Sequence, residues 1–224
     1  FDISKYEAFL GALCGEREYQ KEAIRVTLGY LLGKEYKNLR ELAEKNYHQN
    51  TKTKLQEKYS SLEDFYQNLQ LPDKLSCSLD LATATGKSYI LYGLARIMLA
   101  EGAVDQVLVL CPSTTIEAGL TDKFRLLSAD KTLKDLVSQG RGIVNPSIIN
   151  ATETIKKGDI CIENIHATYK YVKSAIEDSL TGKGEKILVL NDEVHHMANP
   201  TDKALKKWKE FLLDPKYNFK YIVG

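Results

Sequence analysis

Several features that mark other protein classes are missing from this 224-residue sequence. Its 31 lysines and arginines nearly balance 30 aspartates and glutamates, so the formal net charge is only +1. Overall charge therefore gives no argument for nucleic-acid binding, and any such surface must be local. No apolar run approaches the roughly 20 residues of a membrane span, and no signal peptide is recognisable. We expect a cytoplasmic protein without a membrane partner.

Paired cysteines are missing as well. The four cysteines include no C-x-x-C pair, so the sequence predicts no zinc site. Cys77, Cys111 and Cys161 fall in apolar runs, and we interpret them as small buried hydrophobic residues. Unpaired buried thiols fit a reducing cytosol.

The length supports one hydrophobic core with at most a small appendage. We therefore expect a single domain over residues 1–224. A polar helical insert is expected at about 34–72, where Lys, Glu, Gln, Asn and Tyr dominate. The chain starts at Phe1 rather than Met and stops just after a strand-like Tyr-Ile-Val run, so we expect a fragment of a longer chain.

After this insert, short apolar runs alternate with stretches of helical spacing. Continuous apolar runs predict strands that are buried on both faces, at 75–81, 106–111, 159–165, 187–191 and 220–223. Helical periodicity predicts helices at 18–32, 87–100, near 167–179 and at 202–213. Such an alternation is typical of an α/β fold, a mostly parallel sheet with helices on both faces. Ligands of these sheets bind at the carboxyl ends of the strands.

Residues 82–88, Ala-Thr-Ala-Thr-Gly-Lys-Ser, follow a predicted strand and open a predicted helix. Small residues let backbone N–H groups surround a phosphate chain, and the helix N-terminus adds partial positive charge. Lys87 is predicted to reach the β- and γ-phosphates of ATP, and the Ser88 hydroxyl to ligate Mg²⁺. The predicted nucleotide-binding residues of this loop are Thr83, Ala84, Thr85, Gly86, Lys87 and Ser88.

Two positions of the loop depart from common patterns. Leu81 stands where the general phosphate loop has glycine, and Ala84 stands where helicase-type loops usually keep one. The methyl group of Ala84 is tolerated only if that residue avoids positive φ. A chance Gly-Lys-Ser at a helix start is the alternative interpretation, and the position of the loop between a strand and a helix argues against it.

An acidic pair ends the apolar run at 187–191. Asp192 at a strand end can hold Mg²⁺, and Glu193 can polarise the attacking water as a general base, which favours hydrolysis. We interpret His195 as a hydrogen-bonding sensor beside the γ-phosphate. The alternatives are acids that merely precede a helix, and a metal site at His195 and His196. The predicted catalytic residues are Lys87, Glu193 and His195.

Together these motifs resemble the first RecA-like domain of superfamily 2 helicases and translocases. Residues 192–195 (Asp-Glu-Val-His) resemble the DExH form of the second helicase motif, and residues 82–88 resemble the first. Tyr19-Gln20 is similar to the family's upstream glutamine, which implies that Gln20 contacts adenine. Residues 221–224 resemble the strand that leads into the third motif.

A narrower resemblance is to the restriction (Res) subunits of type III restriction enzymes. Residues 109–119 are similar to their V-P-S-x-x-I-x-x-G stretch, 164–168 to their N-x-x-A-F segment, and 192–196 to their D-E-A-H-H motif. The resemblance covers about 18–33 and 75–224 and leaves the polar insert unmatched. The departures are Ala84, Val194 and Thr168.

This resemblance implies a DNA-dependent ATPase that translocates on double-stranded DNA. Hydroxyl groups and N–H groups at a helix start can hold backbone phosphates, although Ser113 and its neighbours could simply cap that helix. The residues implied in contacts with the DNA backbone are Pro112, Ser113, Thr114, Gly119, Asn164 and His166.

The resemblance also implies partners. A second RecA-like domain in the same full-length chain would supply arginine fingers, so we expect little hydrolysis by this piece alone. A separate methylation subunit is a candidate partner for DNA recognition. Two other functions stay open: a general helicase or remodeller without a nuclease, and a non-hydrolysing, nucleotide-gated binding module.

Overall fold

The computed structural model describes residues 1–49, 54–82, 85–138, 140–168, 174–192 and 203–224, with only the backbone described for 203–206. Within these ranges six parallel strands form one sheet in the order β1-β6-β5-β2-β4-β3. The strands are β1 (Leu75–Cys77), β2 (Gln106–Cys111), β3 (Ser147–Ile149), β4 (Asp159–Asn164), β5 (Ile187–Asn191) and β6 (Tyr221–Val223).

The α-helices lie before, between and after these strands. They are α1 (Glu7–Cys14), α2 (Glu18–Leu32), α3 (Leu39–Gln49), α4 (Leu55–Lys58), α5 (Leu62–Gln67), α6 (Lys87–Ala100), α7 (Thr114–Ala129), α8 (Lys131–Val137), α9 (Ile176–Leu180) and α10 (Lys203–Leu213). Short 3-10 helices occur at Ile3–Tyr6, Ile165–Thr168 and Gly184–Lys186. In the described ranges no helix combines the length and apolar composition that a membrane crossing requires.

Strand β2 shows why the central strands lack polar alternation. Val107 and Val109 point into a core that includes residues of α1, α2, α6, α7 and α8. Leu108 and Leu110 point into a second core on the opposite face, with residues of α9 and α10. Because side chains alternate between faces along a strand, both sets must be apolar to be buried. The predicted α/β fold, a parallel sheet covered by helices on both faces, is confirmed.

Helix α6 occupies the centre of the first core. It begins and ends at the predicted residues, and every residue from 90 to 100 is buried. Sheet and neighbouring helices surround it, which explains why its sequence is apolar on most sides. This burial holds the start of α6 at the carboxyl edge of the sheet.

In its described residues the polar segment is helical, as expected, and contains α3, α4 and α5. Ala43, Tyr47 and Phe65 form a small core of their own, and the rings of Tyr47 and Phe65 stack with centroids 5.9 Å apart. The Arg40 guanidinium donates to Glu63 at 2.8 Å and joins α3 to α5. The insert is therefore a helical unit with its own apolar contacts.

Two predicted elements differ from the structure. The strand expected at 75–81 ends at Cys77, because its neighbour β6 offers only three paired residues. At the ends of the helix expected near 167–179 the structure has the 3-10 helix Ile165–Thr168 and α9, with Ala175 as the N-cap of α9, and 169–173 lie outside the described residues. Strand β3 was not predicted, because three residues at a sheet edge carry no periodic signal.

Candidate nucleotide site and nucleic-acid interface

The phosphate-loop candidate turns into α6 through a glycine. Gly86 is the N-cap of α6 with φ +75° and ψ +40°, a left-handed conformation that glycine adopts without steric cost. A Cβ atom there would lie 2.6 Å from Gln20 Nε2. Thr85 Oγ1 donates to the Ala82 carbonyl oxygen at 2.7 Å and tightens the turn. Thr83 and Ala84 lie outside the described residues.

Gln20 lies beneath this loop. Its side chain is fully buried, and Nε2 donates to the Thr85 carbonyl oxygen at 2.6 Å. The Tyr19 hydroxyl donates to the same carbonyl oxygen at 2.8 Å. The Oε1 atom of Gln20 is buried and accepts no hydrogen bond from the described part of the chain. Because buried acceptors are normally paired, this oxygen is a candidate to receive a hydrogen bond from a ligand. Its contact with adenine stays a prediction.

A cavity of about 350 Å³ opens beside the loop, at the carboxyl ends of β1, β5 and β6. It brings together Lys87 at the start of α6 and Asp192 after β5, the two charged residues that the sequence predicts for phosphate and metal binding. The other lining residues are Ser78, Leu79, Asp80, Leu81, Ile90, Leu91, Asn191, Val223 and Gly224. Its volume lies in the usual range of small-molecule sites.

Asp192 is held in place from several sides. Its backbone N–H donates to the Leu110 carbonyl oxygen of β2 at 2.8 Å. The preceding Asn191 is buried; Trp208 Nε1 donates to its Oδ1 at 2.7 Å, and its Nδ2 donates to the Val223 carbonyl oxygen at 3.3 Å. The end of β5 is therefore fixed to β2, β6 and α10, and with it the backbone that carries the half-buried Asp192.

The other predicted catalytic and metal-binding residues are less completely placed. Ser88 is half-buried in the first turn of α6, and the lining residues of the cavity in the described ranges do not include it. Glu193 and His195 lie outside the described residues. Nor do the described ranges hold three or more His, Cys, Asp or Glu close enough to bind a metal. Magnesium of a phosphate-loop site does not need such a cluster, because phosphate oxygens, water, one hydroxyl and one acid complete its shell.

The segments predicted to contact DNA lie side by side on the next strands of the sheet. Cys111 of β2 is paired with Asn164 of β4, so residues 112–119 and 164–168 leave the same edge. Ser113 caps α7, because its Oγ accepts from the Ile116 N–H at 3.4 Å. Among the predicted contact residues, Thr114, Gly119 and His166 are exposed.

The Asn164 side chain uses its hydrogen bonds inside the protein. Its Nδ2 donates to Glu117 Oε2 at 2.7 Å and to Glu163 Oε1 at 3.2 Å. Its Oδ1 accepts from the His166 N–H at 3.1 Å. Glu117 was not predicted, since one acid in a helix carries no signal. Glu163 did carry a signal, a charge directly after the apolar residues 160–162 of β4.

Burial raises the pKa of the Glu163 carboxyl above its ordinary value. The N–H of Ala151, which donates to this carboxylate at 2.8 Å, lowers the pKa, and the charge of Glu117 raises it. Two carboxylates thus lie close together at the edge where a DNA backbone is expected. Their negative charges repel phosphate, so electrostatics alone do not explain why two acids lie at this edge.

A parallel sheet with a Gly-Lys-Ser turn before α6 and an acid after β5, both at one cavity, defines a nucleotide-binding domain of the P-loop class. A family model described as "Type III restriction enzyme, res subunit" matches residues 14–221, from the end of α1 to the start of β6. The chain therefore belongs to this family. It is a RecA-like, helicase-like ATPase motor domain of the type III restriction family. Neither the curated proteins nor the solved structures include a match to it.

Proposed function

We propose that this domain binds ATP with Mg²⁺ and hydrolyses it when DNA occupies the neighbouring strand ends at the same edge of the sheet, as the motor of a DNA translocase. The observation that carries the proposal is the shared cavity of Lys87 and Asp192 at the carboxyl ends of β1, β5 and β6. Domains of this family generally use ATP and Mg²⁺. The residues of this cavity offer the cation and the acid that such a cofactor requires.

Each residue then has a specific role. Lys87 offsets the negative charge of the β- and γ-phosphates, and the N–H groups of 83–88 surround the phosphate chain. Ser88 and Asp192 hold Mg²⁺, directly or through water. MgATP supplies the phosphoryl group that water accepts. Glu193, directly after Asp192 in the sequence, removes a proton from that water. His195 acts as a hydrogen-bonding sensor beside the γ-phosphate.

We place double-stranded DNA against the ends of β2 and β4. Thr114, Gly119 and His166 are exposed there and make the backbone contacts, while Pro112, Ser113 and Asn164 shape the surface. With a net charge of only +1, affinity must come from this local surface and from a second RecA-like domain of the same full-length chain. That second domain supplies the arginine fingers, and a methylation subunit supplies DNA sequence recognition.

A test uses Lys87→Ala and Glu193→Gln in the intact protein. Loss of the lysine charge should weaken binding of a fluorescent ATP analogue with Mg²⁺ by about ten- to a hundredfold, the range expected for a charge-assisted hydrogen bond. Loss of the general base should leave this binding within about threefold of wild type and abolish DNA-stimulated phosphate release. Lys134→Ala, an exposed lysine of α8, is the matched control and should change neither.

The results separate the competing functions. Equal binding by wild type and Lys87→Ala would remove the cavity as the nucleotide site. Binding without any hydrolysis in wild type, even with DNA, would favour the nucleotide-gated binding module. Cleavage of the DNA substrate during hydrolysis would favour a restriction subunit over a general helicase or remodeller.

A further inference from the structure

Three polar side chains join the two DNA-facing segments at the ends of β2 and β4. Glu117 comes from the first turn of α7, and Glu163 and Asn164 end β4. We call these three residues the Glu117 clamp. One oxygen, Glu117 Oε2, accepts from both the backbone N–H of Asn164 at 3.2 Å and its Nδ2 at 2.7 Å. The clamp therefore fixes both the backbone and the amide group of Asn164.

The amide group of Asn164 extends this constraint to His166. Its Nδ2 has two hydrogens, and these serve Glu117 and Glu163. Its Oδ1 accepts from the His166 N–H and so shapes the turn into the 3-10 helix Ile165–Thr168. The exposed His166 is thus tied to α7 through a continuous series of hydrogen bonds.

Helix capping does not explain Glu117. Ser113 already caps α7, and the reciprocal acid of a capping box stands at the third helical position, which is Ile116 here. Burial and the neighbouring Glu163 make the cluster costly, because two acids near each other repel. A negative charge beside expected DNA phosphates is a further cost. Glu117 instead has one specific effect, which is to hold the segment at 164–168 against α7.

We propose that Glu117 is a positioning residue for DNA. It holds residues 164–168 in register with the start of α7, so that Thr114 and His166 form one surface for a strand's backbone. This inference rests on the proposed DNA contact at this edge. It predicts an effect opposite in sign to simple electrostatics, since removal of an acid should otherwise strengthen binding to a polyanion.

The test measures DNA-stimulated ATPase activity of the intact protein with a linear double-stranded DNA. Glu117→Ala should raise the DNA concentration for half-maximal stimulation about tenfold, since two hydrogen bonds to Asn164 are lost. The kcat at saturating DNA and the KM for ATP should stay within about twofold of wild type. Glu117→Gln should match wild type, because its single amide oxygen can accept both bonds and its NH₂ group can donate to Glu163.

Asp122→Ala is the matched control, because it removes the same charge from an exposed position of α7. It should leave the DNA requirement unchanged or slightly lower it. Asn164→Asp places a third acid in the clamp and should raise the DNA requirement as Glu117→Ala does. The double variant with Glu117→Gln and Asn164→Asp should restore the wild-type DNA requirement, because the new amide at position 117 can donate to the aspartate. If circular dichroism shows that Glu117→Ala unfolds at a lower temperature than wild type, the comparison of Asn164→Asp with the double variant still tests the proposal.

The outcomes distinguish this inference from the proposed function. Wild type that DNA does not stimulate would overturn both. Stimulated wild type with an unchanged or tighter DNA requirement in Glu117→Ala would overturn the positioning role alone. The same holds if Glu117→Gln is as defective as Glu117→Ala, since charge rather than hydrogen bonding would then explain the effect.

Discussion

At the scale of single residues, the phosphate loop depends on a glutamine and a tyrosine from a distant helix. Gln20 and Tyr19 both donate to the Thr85 carbonyl oxygen, and the close approach of Gln20 requires glycine at position 86. The two donors differ in one respect. Gln20 also carries a buried oxygen that accepts no hydrogen bond within the described part of the chain.

Gln20→Leu should therefore lower the preference of the protein for ATP over GTP by about fivefold. The unpaired Oε1 can accept from the exocyclic amino group of adenine, whereas guanine presents a carbonyl oxygen there, and one such bond contributes about 1 kcal/mol. Competition of ATP and GTP with a fluorescent nucleotide measures the ratio. Tyr19→Phe is the control, since it removes only a loop contact and should affect both nucleotides equally. An equal loss of ATP and GTP affinity in Gln20→Leu would limit Gln20 to support of the loop.

At the scale of elements, the position of the acidic pair depends on the packing of α10 against β5. Trp208 is the only tryptophan of the chain, and its ring is buried in the second core. Its Nε1 donates to the buried Asn191 Oδ1 at 2.7 Å. This bond joins α10 to the residue directly before Asp192.

Trp208→Phe should lower the free energy of unfolding by about 1–3 kcal/mol. The smaller ring loses buried contacts and leaves the Asn191 oxygen without its donor. Urea denaturation followed by far-UV circular dichroism measures the change. Lys209→Ala, an exposed neighbour on α10, should shift the value by less than about 0.5 kcal/mol. A loss in Trp208→Phe as small as in this control would show that the bond does not hold β5 and α10 together.

At the scale of the whole molecule, the described residues form two large cores on opposite faces of the sheet and a third, small one in the insert. Ala43, Tyr47 and Phe65 form the small core, a cluster separate from the other two. Regions with few buried apolar contacts open at a lower free energy than the core of a domain. The insert should therefore open locally, without unfolding of the nucleotide site.

Phe65→Ala tests this independence by hydrogen exchange. Amides of α3 and α5 should exchange at least tenfold faster, because the small core loses one of its two buried rings. Protection in α6 and β5 should stay at the wild-type level. Phe124→Ala, which removes a fully buried ring from the first core, should instead lower protection across the sheet. Faster exchange of α6 in Phe65→Ala would mean that the insert and the sheet unfold together.

The sequence predicted the bounds of a helix or strand correctly where the pattern of its own residues was sufficient to define it. Helix α6 and strands β2 and β5 have the predicted bounds, because continuous burial requires apolar side chains along their whole length. Strand β3 was missed, since its three residues form a strand only by pairing with β4. The helix expected near 167–179 is not continuous, because Ala175 is the N-cap of α9, and the apolar pattern of the segment does not mark this break.

The sequence by itself determined the α/β class, the phosphate-loop candidate and the family of this protein, since apolar runs and short motifs are local properties of the chain. Only the tertiary structure placed Lys87 and Asp192 at one cavity, put Gln20 under the loop and joined Glu117 to Asn164. The physical reason is strand order. Which strands are neighbours in a parallel sheet depends on how the helices pack on both faces. That long-range packing gives no periodic pattern in the sequence of the residues that it brings together.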